Sequence, residues 1–141
     1  MAYATTEDLI KAITREKVTL YSDDGSTGGV NEPNVARAIS DADAVIDGYL
    51  RSRYTVPLEA PVPAIIATIS VDLAALNLAQ RRYPDKLSEA MSERRANAMR
   101  ILERIASGTI TLPITLTQSD AVPTTIRVSE RTRVFDNLDQ Y

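Results

Sequence analysis

Apolar residues recur at alternating steps of three and four through Val35, Ile39, Ala42, Ile46 and Tyr49. That spacing puts them on one face of a helix. Pro33 suits its first turn, with Asn31 or Glu32 as cap, so the helix is predicted from about Pro33 to Arg53. Continuing the stripe lands on Arg53, a charge where the next core residue should stand. Pro57 disfavours helix at Val56, and Pro61 and Pro63 keep the chain extended beyond TVPL.

A second long helix is predicted over residues 63–83, with Ile65, Ile66, Ile69, Leu73 and Leu76 on its main face and Val71 and Leu78 opposite. Ser70 and Asn77 mark a narrow polar seam. A helix apolar on two sides belongs at the centre of a bundle, and Pro84 stops it. Residues 86–107 form a third, with Leu87, Met91, Ala98, Leu102 and Ile105 inward, Glu89, Glu93, Arg95, Arg100 and Glu103 on a solvated face, and Gly108 as C-terminal cap. Upstream, Thr5 followed by Glu7 and Asp8 caps a short helix over residues 5–13 with Leu9, Ile10 and Ile13 inward. Residues 14–21 form a further turn or two carrying Val18 and Leu20, and SDDGSTGGVNEP, residues 22–33, is a loop. After Gly108 the pattern changes: TITLPITLT, residues 109–117, alternates like an extended arm or edge strand, and the tail beyond it has no helical stripe. The chain reads as an all-α bundle of three long helices and one or two short ones over residues 1–108, with an extended arm and tail over 109–141.

Composition narrows the chemistry. The 141 residues, 44% hydrophobic and 25% charged, suit one globular domain. No apolar run is read as long enough to span a bilayer, and MAYATTEDL lacks the regions of a signal peptide, so the protein is expected in the cytosol at synthesis. The chain has no cysteine and no histidine, which removes disulfides, thiolate and His-bearing metal sites, and every Ser-His or Cys-His nucleophile pair. A net charge of −3 disfavours sequence-independent grip on nucleic acid. No cofactor is implied, and an enzyme is not expected.

The remaining candidates are few. Asp23, Asp24, Ser26, Asn31 and Glu32 offer oxygen ligands, but the EF-hand spacing is not met and the phosphate-loop ending is missing; a flexible turn is the better reading. Asp43 and Asp47 stand four apart like an acid–base pair, yet Arg51 continues that face and neutralises Asp47, a common surface arrangement. Arg53 and Asp72, charges on facing apolar stripes, suggest an ion pair joining the first long helix to the second; otherwise Arg53 snorkels from a frayed end. In the arm and tail, Ile114, Leu116, Arg127, Arg131, Arg133, Phe135, Leu138 and Tyr141 form a basic and apolar set that would order on a partner, unless this end is disordered or folds back on its own domain.

These stretches also resemble a known family. MAYATTEDL, IDGYLRSRYTVPL followed by VP, DLAALNL, and the ending SERTRVF before an aromatic C-terminus are similar to the head–tail connector (adaptor) proteins of Mu-like tailed phages and prophages. The resemblance rests most on Tyr49, Leu50, Arg53, Tyr54, Pro57 and Leu58, then on Asp72, Leu73 and Ala74. It implies a non-catalytic helical protein of the virion neck, present in the host cytoplasm during assembly. It also implies a homo-oligomeric, dodecameric ring beneath the portal protein, a tail-side neck protein as further partner, and DNA passing through the lumen without specific binding, with Asp23, Asp24 and Glu32 lining it. Tyr54, Pro57 and Leu58 would fix the turn between long helices, and the arm would add a strand to a neighbouring copy. The competing readings are a small cytosolic partner-binding or regulatory domain outside the particle and a carboxylate metal enzyme. No membrane contact is expected.

Overall fold

The computed structural model describes residues 2–114. Among these the chain forms five α-helices and no strand: α1 (Thr6–Ile13), α2 (Arg15–Ser22), α3 (Glu32–Leu50), α4 (Ala64–Arg82) and α5 (Glu89–Ala106). The all-α architecture is as the sequence pattern predicts, and α4 packs against each of the other four helices.

Local chemistry sets most boundaries. α1 begins with a capping box, in which the Asp8 amide donates to Thr5 Oγ1 at 3.2 Å and the Thr5 amide donates to the Asp8 carboxylate at 2.9 Å. The turn into α2 is made at Thr14, whose φ of +76° is rare for a β-branched residue. Val18 of α2 is fully buried, whereas Leu20 points outward with half its surface exposed. α3 is capped by Asn31, which accepts from the Asn34 amide at 3.2 Å, with Pro33 in the first turn.

The inward face of α3 carries Val35, Ala38, Ile39, Ala42, Ile46 and Leu50. The helix ends at Leu50 because the Leu50 carbonyl takes the amides of both Arg53 and Tyr54, each at 2.9 Å, and so closes a turn. Arg53 therefore sits past the helix rather than on its stripe. Leu50 takes the core position and Tyr49 is half-buried.

α4 is central: Ile66, Ala74 and Leu78 are fully buried, and burying each large aliphatic side chain stabilises by roughly 1.5–3 kcal/mol. Its length and hydropathy do reach those of a membrane span, contrary to the reading of the sequence. More than half of it is enclosed by the other helices, so its apolar character belongs to a bundle core. Its polar seam is not a solvent line either. Ser70 donates to Asp43 at 2.6 Å, and the Asn77 amide group donates to the Ala38 carbonyl at 3.2 Å, so the seam is the contact line with α3.

α5 starts three residues later than the apolar pattern suggests, at Glu89. Ser88 caps it by accepting from the Met91 amide at 3.3 Å, which leaves Leu87 outside the helix. Ala98, Leu102 and Ile105 bury the C-terminal half, while from Glu89 to Asn97 only Met91 is even half-buried. At the far end Gly108 has φ +83°, and the Ile110 amide turns back to the Arg104 carbonyl at 3.1 Å, satisfying one of the last carbonyls of the helix.

Candidate assembly interface

Two clusters hold the ends of the described chain to the helices. The first gathers around Asp43. Its carboxylate, 8% exposed, accepts the Tyr3 amide at 2.9 Å and the Ser70 hydroxyl at 2.6 Å. The Tyr3 hydroxyl donates to Asp47 and accepts the Leu58 amide at 2.9 Å. One tyrosine thus ties the N-terminal segment to α3 and to the α3–α4 connection, while Asp43 adds α4. Burial pushes the Asp43 carboxyl above its ordinary range, partly offset by the Ser70 and Tyr3 hydrogen bonds, and burial with the Asp47 hydrogen bond holds the Tyr3 hydroxyl protonated. Reading Asp43 and Asp47 as a surface pair balanced by Arg51 is therefore corrected. They are the acceptors of a structural network, and every buried side-chain polar atom among the described residues has a partner.

The second cluster roots the arm. Tyr54, 2% exposed, accepts the Leu112 amide on its hydroxyl at 2.9 Å, and Leu112 is itself buried. Ile110 and Ile114 pack against the same core, and the Ile114 amide donates to the Leu112 carbonyl at 2.8 Å. Beside this root lies an open cleft of about 450 Å³, with Pro57, Leu58, Ala60 and Pro61 on one wall and Pro113 and Ile114 on the other.

The proposed Arg53–Asp72 ion pair does not exist. Arg53 lies over Gly108, at the C-terminal end of α5, where a Cβ would overlap its guanidinium. A cation there faces the negative end of the α5 dipole, which gives this charge its place without a carboxylate. Asp72 has Arg94 of α5 at 3.9 Å instead. Both residues of the supposed bridge thus connect to α5, which a comparison of the α3 and α4 stripes alone does not reveal.

Of the other residues singled out, Tyr54 and Leu58 are core and Pro57 is exposed in the connection. Ile114 is half-buried at the end of the described chain, and Leu116, Arg127, Arg131, Arg133, Phe135, Leu138 and Tyr141 lie outside the described residues. The acids of the glycine-bearing loop are engaged within the fold. Asp23 accepts the Thr27 hydroxyl at 3.1 Å and the Gly28 amide at 2.8 Å. Asp24 pairs with Arg81 at 2.8 Å and Arg82 at 3.2 Å, and Arg81 draws its carboxyl down to about 2. Glu32 accepts the Thr6 hydroxyl at 2.7 Å. Among the described residues no three acidic side chains converge as metal ligands would.

Tyr3 is the residue that sequence reasoning missed. It precedes the first cap and belongs to no periodic stripe, so its only signal is that an aromatic stands at the edge of a capping box.

The sequence model of the family described as Bacteriophage Mu, Gp36 matches residues 3–129. The chain is 32% identical over 110 residues to the Mu-like prophage FluMu protein gp36 of Haemophilus influenzae, covering 78% of this chain and 74% of that protein. It is 37% identical over 67 residues to Gene product J of Escherichia phage Mu, 47% of each chain.

Proposed function

The chain belongs to the bacteriophage Mu Gp36 family, and on that basis we propose that it is a structural protein of the virion neck. In this reading it is a head–tail connector that forms a ring, dodecameric in the expected geometry, between the portal protein and a tail-side neck protein. It assembles from subunits in the host cytoplasm and carries out no catalysis.

The observation that carries this reading is the rooted arm. Tyr54 and the buried Leu112 hold residues 110–114 against the helical body and so fix where Ile114, the last described residue, stands. Residues that follow a fixed point are suited to reach a defined place on a neighbour, and the cleft beside the root, whose proline, leucine and isoleucine walls also carry Thr55 and Glu59, offers a surface for another chain. The first half of α5 presents a second exposed face, as a head-to-tail ring needs two unlike patches on every copy. Residues 109–114 belong with the helical body in packing, so contact with partners falls to Ile114 and to Leu116, Arg127, Arg131, Arg133, Phe135, Leu138 and Tyr141. A body whose loop acids Asp23, Asp24 and Glu32 are engaged by arginines, hydroxyls and an amide, in a chain of net charge −3, is suited to let DNA pass without gripping it.

The test mixes purified protein with portal rings and examines the product by electron microscopy. A stacked ring is expected, and truncation after Thr117 should abolish it while the helical circular dichroism persists. A stable monomer or dimer that never joins portal or particle would overturn the reading in favour of a regulatory domain. Stacking unaffected by the truncation would refute the role given to the tail.

A further inference from the structure

α1 and α4 pack along a shallow groove of about 330 Å³ that no other described segment fills. Ala12 of α1 and Ala67 and Val71 of α4 give it small apolar walls, and Thr68 and Asp72 stand one turn apart along it. Asp72 is the unusual member. Its side chain is only 22% exposed, it has no hydrogen-bond donor among the described residues, and its one cation, Arg94, is 3.9 Å away with a side chain 53% exposed. Burial accordingly pushes its carboxyl above the ordinary range, opposed by Arg94 alone. The other acid of the groove is satisfied: Asp8 is held by Thr5, with Lys11 nearby.

A half-buried carboxylate at the end of a small-walled apolar groove matches an arginine, whose stem lies along the alanines and valine while its guanidinium makes two parallel bonds to the acid. The chain itself supplies such a group. Residues 127–133, RVSERTR, hold Arg127, Arg131 and Arg133 against one acid, Glu130. Twelve residues lie between Ile114 and Arg127, a span of at most roughly 45 Å when extended, which is enough to cross to an adjacent subunit. A ring that closes head to tail needs both halves of one contact on each copy, and groove and basic segment are such halves. We propose that the α1–α4 groove ending at Asp72 receives an arginine of the 127–133 segment from the neighbouring copy. The proposal rests on the ring-forming reading above and names the contact between its subunits.

The absence of native cysteine allows a direct test. Full-length Thr68→Cys and Ser129→Cys proteins are mixed at high concentration under mild oxidant, with and without portal rings, and mixed disulfide dimers are quantified. Mixed dimers are expected. Their yield should fall about tenfold when Asp72→Asn is added to the first partner, the scale of one lost charge-assisted pair. It should fall similarly when Arg127, Arg131 and Arg133 are changed to Gln in the second, a change outside the helical body. Circular dichroism checks that Asp72→Asn still folds, and the arginine variant decides the matter if it does not. Undiminished cross-linking by the arginine variant, or no mixed dimer in either condition, overturns the proposal. A closed monomeric disulfide in the Thr68→Cys/Ser129→Cys double variant, without mixed dimers, also overturns it by making the chain's own tail the occupant. Rings seen by microscopy without cross-links sink this contact and leave the connector reading standing; cross-linked chains that never stack on portal rings do the reverse.

Discussion

Replacing Tyr54 by phenylalanine keeps the ring and removes one oxygen, so it isolates the bond that roots the arm. The Leu112 amide donates to that oxygen at 2.9 Å in a buried setting. Phenylalanine leaves the amide without an acceptor, and an unmade hydrogen bond to a buried group costs about 1–3 kcal/mol. Part of this is recovered if residues 110–114 lift off and hydrate the amide. Lifting them exposes Leu112, now 3% exposed, and forfeits roughly 1.5–3 kcal/mol of apolar burial, so the two costs are similar and local opening becomes frequent. Two observables follow. Hydrogen exchange at the Leu112 amide should accelerate by about one to two decades, because 1.4 kcal/mol is a factor of ten in the opening equilibrium. The helices should lose far less, with amides of α4 slowed or hastened only in proportion to the change in global stability. If Leu112 in Tyr54→Phe exchanges as slowly as in the wild type, the bond does not hold the root. If all amides accelerate equally, the root is part of the global fold rather than a separately opening segment. The first result would remove the bond as what fixes Ile114; the second would leave Ile114 fixed, but by the whole fold and not by this bond alone.

Other substitutions probe the remaining links. Gly108→Ala should destabilise by about 1–3 kcal/mol in urea titration, since it forces a side chain onto a left-handed backbone and displaces the Arg53 guanidinium; a neutral result would contradict the left-handed turn at Gly108. Arg53→Ala and Asp72→Ala should have additive effects on stability within about 0.5 kcal/mol, because the two side chains are not paired; measurable coupling would reinstate the bridge. The folded protein holds the Asp43 proton more tightly than the unfolded chain does. The Asp43 contribution is therefore fully present below 3.8 and declines as pH rises from there through the raised folded value. Subtracting the unfolding free energy of Asp43→Asn from that of the wild type should give a difference that falls with pH over this window, and a difference that rises would reverse the sign of the burial effect.

What the chain discloses in advance follows from the range of its signals. α3 and α4 are legible because their stripes repeat over five turns and prolines bracket them. The start of α5 is misjudged because Leu87 continues the apolar spacing toward Met91, whereas the Ser88 hydroxyl takes the Met91 amide and makes the helix begin after it. Arg53 misleads for a related reason: spacing says which face a residue would occupy if the helix continued, and a turn at Leu50 ends it first. Asp43 was readable in principle. It falls four after Ile39 and three before Ile46, squarely on the inward stripe, but its neighbour Asp47 invites a pairwise surface reading. Its partners, Tyr3 forty positions before it and Ser70 twenty-seven after it, leave no local mark. The Tyr54–Leu112 bond spans fifty-eight positions and is hidden from pattern analysis in the same way.

The stapled base of the glycine-bearing loop has a practical use. Asp23 closes the turn through Thr27 and Gly28, and the Asn31 amide fastens the exit by donating to Ser22 at 3.1 Å. A short epitope inserted between Gly28 and Gly29 would be displayed beyond that closure, where added backbone strains nothing beneath it. In the ring proposed above, antibody access to such a tag on intact particles would report whether this corner of the subunit looks outward or into the lumen.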